Sequence, residues 1–210
     1  MEIAGRDSKA ALKTLKRLGL MLETDACLPS VASLIAGEPV SGSWWSHASA
    51  QKIFSTLGQL ADHRDVMFTK LISGKVTLVH RKLWPEIIAI GTARAPWQMK
   101  GLSKSARQLL EMIDEQGSLR TDQLAWPKSG TVKPGEAARE LERKLLVHAG
   151  EFHTESGAHA KLLETWKIWA RRNGFPIGTM QPESAIQKME ERVGKLNAQF
   201  EAKGQLPWRK

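Results

Sequence analysis

Tyrosine is missing altogether and cysteine occurs once, at Cys27, in a chain of 210 residues. One thiol cannot close an internal disulfide or build a Cys-based zinc site, which points to a reducing, intracellular (cytoplasmic) setting. No apolar run approaches the ~20 residues that cross a bilayer. The opening MEIAGRDSKAALKTLKRLGL has neither the apolar core nor the small-residue cleavage site of a secretory signal. Phosphate-cradling loops of the G-x-x-x-x-G-K-S/T or G-x-G-x-x-G type are also lacking, so nucleotide hydrolysis and dinucleotide chemistry are not indicated.

Histidine and carboxylate do cluster once, in VHAGEFHTESGAH, with His148, Glu151, His153, Glu155 and His159. On a strand, the spacing of five from His148 to His153 puts the two rings on opposite faces, wrong for one shared metal. His153 and His159 could meet across a turn, yet no spacing of the H-E-x-x-H kind is present. Neither a metal nor a cofactor is expected.

What the chain does have is positive charge, +9 overall, and it is unevenly distributed. Residues 1–63 balance to zero. From Arg64 to Arg107 nine Lys/Arg face only Asp65 and Glu86; Glu111–Glu164 is net acidic, and the remainder to Lys210 is basic again. A localised basic block points to a polyanion partner. The competing reading is a solvated face that serves solubility.

The apolar pattern gives the organisation. Ser8–Leu22 reads as a helix, with Leu12, Leu15, Leu18 and Leu22 at three- and four-residue steps. Pro29–Ala36 is a short second helix stopped by Gly37. Trp45–Leu60 is a third, with Ile53, Phe54, Leu57 and Leu60 on one face. VMFTKLISGKVTLVHRKL then forms a hairpin turning at Ser73–Gly74, and Trp84–Pro85 opens a further short helix. Three helices and a hairpin, in that order, predict a winged helix.

The order recurs past the linker Thr92–Gly101. Ser103 caps a helix that ends at Gly117, SLRT is extended, Asp122–Trp126 is a helical turn, and WPKSGTVKPG is a loop. Glu136–Leu146 is helical and LLVHAGEFHT a strand. Leu162, Leu163, Trp166 and Trp169 have helical spacing, which favours a helix after Glu155 and leaves a second wing incomplete. Pro182–Lys203 is amphipathic, with Ile186, Met189, Val193, Leu196 and Phe200 as its seam. Two heptads are short for a zipper, so docking on the body is preferred over a homodimer through this helix. The expected architecture is α+β and mostly helical: tandem winged helices at 1–91 and 102–174, a linker at 92–101, and a C-terminal helix and tail at 175–210.

In a helix-turn-helix the start of the third helix enters the major groove. Trp45, Ser46, His47, Ser49 and Gln51 would occupy its first two turns, and Ser and Gln suit base edges. Lys70, Lys75, Arg81 and Lys82 on or beside the hairpin, with Arg94, would contact phosphates. This requires the Ser73–Gly74 ribbon to project alongside the tryptophan-led helix. Trp44 and Trp45 have a second reading, in which one ring staples the helix to the core. Neighbours on a helix do not face each other, so Ser46 and His47 do not make a nucleophile–base pair.

The tracts SWWSH, TKLISGKVTLVHRKLW and HTESGAH, set in this order of elements, are similar to small bacterial proteins related to the winged-helix alkylpurine DNA glycosylases. The resemblance implies a tandem winged-helix scaffold and a connection to DNA repair. That family excises alkylated bases with a Gln-x-Gln motif, and this sequence contains no Gln-x-Gln. Three readings therefore stand: a non-enzymatic duplex-DNA-binding protein; a glycosylase-like enzyme stacking a flipped base near Trp44, Trp45 and His47; and a protein-interaction module using its tryptophans and C-terminal helix.

Overall fold

The computed structural model describes residues 2–124, 134–153 and 159–209. Its elements in chain order are α1 (Glu2–Leu18), β1 (Leu20–Leu22), α2 (Val31–Ala36), α3 (Ala50–Ala61), β2 (Val66–Lys70), β3 (Val76–His80), α4 (Trp84–Thr92), α5 (Pro96–Met99), α6 (Lys104–Gln116), β4 (Ser118–Arg120), α7 (Pro134–Arg143), β5 (His148–His153), β6 (His159–Glu164), α8 (Trp166–Arg172) and α9 (Pro182–Gln199). The fold is α+β, mostly helical, with two small antiparallel sheets. Two compact units divide it: Met1–Trp84 with Gln187–Lys210, and Pro85–Ile186.

In the first unit α1 buries Ala11, Leu15 and Leu18 and stops at Gly19, whose φ of +85° an L-residue rarely adopts. The helix expected to reach Leu22 is thus cut short. Leu20–Leu22 becomes a strand paired antiparallel with β3, and β2 pairs along the other edge, giving the order β1-β3-β2. α2 starts at Val31 rather than Pro29, because Ser30 caps it: its hydroxyl accepts the Ser33 N–H at 3.1 Å, and Gly37 closes the helix at φ +78°. Ala11, Leu15, Met21, Val31, Leu60, Val66 and Leu78 form the core beneath.

The C-terminal seam is covered within the same chain. Met189, Val193 and Leu196 are buried, and the tail closes over the hairpin loop, where the Ser73 N–H donates to the Gln205 carbonyl at 2.7 Å.

The second unit repeats the order of its sheet, β4-β6-β5, around α6 and α7. The helix favoured after Glu155 is instead strand His159–Glu164, paired with both β4 and β5. Helical spacing there belongs only to Trp166 and Trp169, because Thr165 starts a new helix by accepting the Ile168 N–H. The helix read as Glu136–Leu146 spans Pro134–Arg143. The loop and turn expected at 125–133, and Glu155, lie outside the described residues. Charges on α7 are used internally: Glu140 accepts from the Ser103 backbone and hydroxyl, and Glu142 pairs with Lys161 at 2.6 Å.

A Cβ at Gly91 would sit 2.3 Å from the Trp166 ring. That ring is held by burial and by its Nε1 donating to the Leu145 carbonyl at 2.7 Å, so it cannot yield. Gly91→Ala should therefore lose about 1–3 kcal/mol. Gly58→Ala, on α3 with open space around it, should gain about 0.5–1 kcal/mol. Urea unfolding of the two variants should move in opposite directions.

Candidate nucleic-acid interface

The segment leading into α3 is built from turns. The Thr24 hydroxyl donates to the carbonyls of Val40 and Gly42 and anchors its start. Trp44 is buried, and its Nε1 donates to Glu23 Oε1 at 2.7 Å. Trp45 stacks on it at 4.2 Å between ring centres with planes 22° apart, yet is 64% exposed. Of the two tryptophans, then, one is structural and one lies open to solvent. Trp45 also tilts against Phe54, 5.6 Å away and 54% exposed.

The expectation that Trp45, Ser46, His47 and Ser49 occupy the first turns of a helix is corrected: the helix begins at Ala50. The reason is local hydrogen bonding. The His47 N–H goes back three residues to the Trp44 carbonyl, Ala50 N–H does the same to His47, and the Ser49 N–H is taken by His47 Nδ1 at 3.0 Å. With Nδ1 accepting, the ring proton sits on Nε2, which faces Glu38 Oε1 at 3.0 Å. Both His47 nitrogens are committed to turn geometry. Ser46 is exposed, and Ser49 makes no side-chain cap bond.

Only Gln51, with neighbouring Lys52, lies exposed on the first turn of α3. A helix starting at Ala50 directs Ile53, Thr56 and Leu60 inward. Phe54, read from sequence as core, sits about 100° around the helix from Ile53 and faces outward. The outer face is then Gln51, Phe54, Gly58 and Gln59, all exposed, with Ser55 beside them. No carboxylate interrupts it before Asp62. Phe54 is the member that sequence reasoning missed, and Lys52 stands beside it as expected.

The hairpin does not project. Leu71 and Ile72 are fully buried in its loop, the Ile72 N–H donates to Thr77 Oγ1, and Ser73 is bound to Gln205 from both sides. Lys75 Nζ lies 2.6 Å from Asp25 Oδ2. Burial pushes the Asp25 carboxyl up, but the Lys75 ammonium and the N–H groups of Cys27 and Leu28 outweigh it and hold the group below its usual range. Lys75 thereby joins the loop that carries Trp44 through the Glu23–Asp25 segment.

The remaining cations divide. Lys82 Nζ donates to the carbonyls of Lys16, at 2.6 Å, and Arg17, capping the C-terminus of α1. Burial and the charge of Arg192 hold it below the ordinary lysine value. Arg81 lies over the Trp84 ring at 5.0 Å and reaches the Arg64 carbonyl. Lys70 is half-buried opposite Val76. Arg94 belongs to the second unit and pairs with Asp114 at 2.5 Å. In that unit the His148 side chain is buried with Nδ1 3.8 Å from Glu164, and the backbones of His153 and His159 pair across the hairpin. Among the described residues, no group of three or more His, Cys, Asp or Glu could hold a metal ion, and no helix is long and apolar enough to cross a membrane.

Trp44→Ala should cost about 3–5 kcal/mol and Trp45→Ala less than about 1 kcal/mol in chemical denaturation. The Asp25 contribution should be fully present above the ordinary value of 3.8 and lost as pH falls through its lowered native value. The stability gap between the native chain and Asp25→Asn should accordingly narrow between pH 5 and pH 2.

A family model described as AlkZ related matches residues 6–205. No curated protein matches the chain, and neither does any solved structure. The match spans nearly all of the 210 residues, and the chain belongs to the AlkZ-related family.

Proposed function

We propose that this protein binds duplex DNA without excising a base, and that its two units are winged helices in tandem. The observation that carries the reading is the outer face of α3, which is neutral, polar and aromatic: Gln51, Phe54 and Gln59 exposed, Trp45 at its foot. Gln presents paired donor and acceptor atoms to a base edge, and a carboxylate-free face can approach phosphates without repulsion. The order helix, strand, helix, helix, hairpin around the β1-β3-β2 sheet supports the winged-helix reading of the first unit. Membership of the AlkZ-related family supports a link to DNA repair.

Within this reading Trp45, Ser46 and Gln51 lie nearest the groove, and Lys70 and Arg81 stand near phosphates. His47, Ser49, Lys75, Lys82 and Arg94 position the frame through the bonds described above. Excision is left out because the chain lacks Gln-x-Gln, the motif on which the glycosylases it resembles depend. One observation favours the glycosylase alternative: an exposed Trp45 backed by a buried Trp44 could stack on an extruded base.

Fluorescence anisotropy on a random-sequence duplex across a salt series tests the proposal. Each phosphate contact should contribute about −0.9 to the slope of log K against log salt, so Lys70 and Arg81 alone should give roughly −2, and any further phosphate contact should steepen it. The Trp45→Ala/Gln51→Ala double variant should bind about tenfold more weakly or worse, in line with the loss of base contacts. An unchanged affinity in that variant would defeat the α3 assignment. Release of free base from alkylated duplex would replace non-enzymatic binding with the glycosylase reading.

A further inference from the structure

The charge sum over residues 1–63 is zero, six acids against six cations, but the two signs are unevenly placed: Glu2 and Asp7 open α1, Glu2 on the same arc as the cations one turn before Arg6, and the other acids lie off that helix. Of the acids, Glu23, Asp25 and Glu38 sit on loops and are each engaged, by Trp44, Lys75 and His47. Of the cations, all but Lys52 lie on α1, at positions 6, 9, 13, 16 and 17. At about 100° per residue these five share an arc of roughly 100°. The arc lies opposite the side that buries Ala11, Leu15 and Leu18. All five are exposed, and from Arg6 to Arg17 no carboxylate falls within the arc, Asp7 pointing well outside it. Among residues 5–124, 134–151 and 160–209, no carboxylate lies within 4 Å of any of the five.

The band continues beyond the helix. Lys82 reaches the Lys16 carbonyl, Arg81 immediately precedes it in sequence, and Arg81 in turn reaches the Arg64 carbonyl just past the end of α3. Arg192 from α9 lies close enough to Lys82 for its charge to be felt there. His80, lowered first by burial and then by the charge of Lys82, with Lys16 and His63 adding and Asp65 opposing, sits in the same crowd.

This arrangement has no structural reward. Like charges three and four residues apart, such as Arg6–Lys9, Lys9–Lys13 and Lys13–Lys16, repel along the helix. Lys16 and Arg17 can be credited to the negative C-terminal end of the helix dipole. Arg6 and Lys9 lie beyond the last turn and gain nothing from that dipole. A solubility face would mix both signs. What removes the repulsion is an external polyanion. From Arg6 to Lys16 the stripe is about 15 Å long, the axial rise of roughly four phosphates on one strand of a duplex.

We infer that the outward stripe of α1 is a binding face for the phosphodiester backbone of a DNA duplex, supplying phosphate contacts that the docked hairpin loop does not. The inference rests on the DNA-binding reading and adds to it a surface separate from the outer face of α3.

The test is the triple variant Arg6→Gln/Lys9→Gln/Lys13→Gln, matched against Lys104→Gln/Lys167→Gln/Lys203→Gln, which removes the same charge from exposed positions elsewhere. With the random-sequence duplex as probe, the α1 variant should lose at least about tenfold in affinity near 0.1 M salt, and its salt slope should shrink by about 2–3. The matched variant should change both far less. Thermal unfolding of the α1 variant should be unchanged or improved, which separates a lost contact from a lost fold. Equal losses in the two triples would overturn the inference, reducing it to net charge, and so would a native slope and affinity in the α1 variant; both leave DNA binding intact. If the native chain binds no duplex at low salt, the functional reading and this inference fail together. Binding of the stripe to anionic vesicles but not to duplex would likewise overturn it.

Discussion

Strand β3 is hydrogen-bonded along both edges, to β1 on one side and β2 on the other, and the first unit is organised around that position. Thr77, Leu78 and Val79 are completely buried within it, and Thr77 Oγ1 ties the strand to the loop that turns the hairpin. A strand fixed on both sides has no freedom of register, because a one-residue slip would turn its buried side chains outward. Its two ends therefore hold their flanking residues in fixed places. At one end Lys75 meets Asp25 beside the tryptophan loop; at the other, Arg81 and Lys82 meet α3 and α1. Both surfaces argued to face a polyanion are positioned by the same strand.

Elements with strong punctuation were legible in the sequence. The hairpin had β-branched arms and a turn at Ser73–Gly74, and α2 had Gly37 after it, while its cap Ser30 was read as part of the helix. The start of α3 was not legible, because the acceptor that organises SWWSHAS is the ring of His47, outside the usual repertoire of caps. That single displacement moved Trp45 off the helix and turned Phe54 outward. In the second unit, helical spacing across Leu162–Trp169 spans two elements, and Thr165, a competent cap between them, was the available signal. The site suffered most from reading charge along the chain. A balanced stretch was set aside even though helical periodicity had already placed its cations on one face.

The two units share a sheet order and differ in chemistry. In the first, five cations stand exposed along one face of α1. In the second, the charged groups that lie inside are consumed there: Glu142 by Lys161, and Glu164, 1% exposed, by a two-point contact from Arg172. Removing either partner of such a pair would strand the other in a poorly solvated place. The same sheet order thus carries a solvent-facing row of cations in one unit and internal ion pairs in the other.

The first unit is assembled from both ends of the chain, since Gln187–Lys210 packs with Met1–Trp84 and Gln205 binds Ser73. Domains ordinarily mature in the order of their synthesis, N-terminal first. Here that order is inverted. On the ribosome the contiguous second unit can reach its native state while the opening segment still waits for α9 and the tail to emerge. Until residues 187–210 have been made, the rim of the first core that packs beside Gly204, Ile72 and Leu28, lacks its cover.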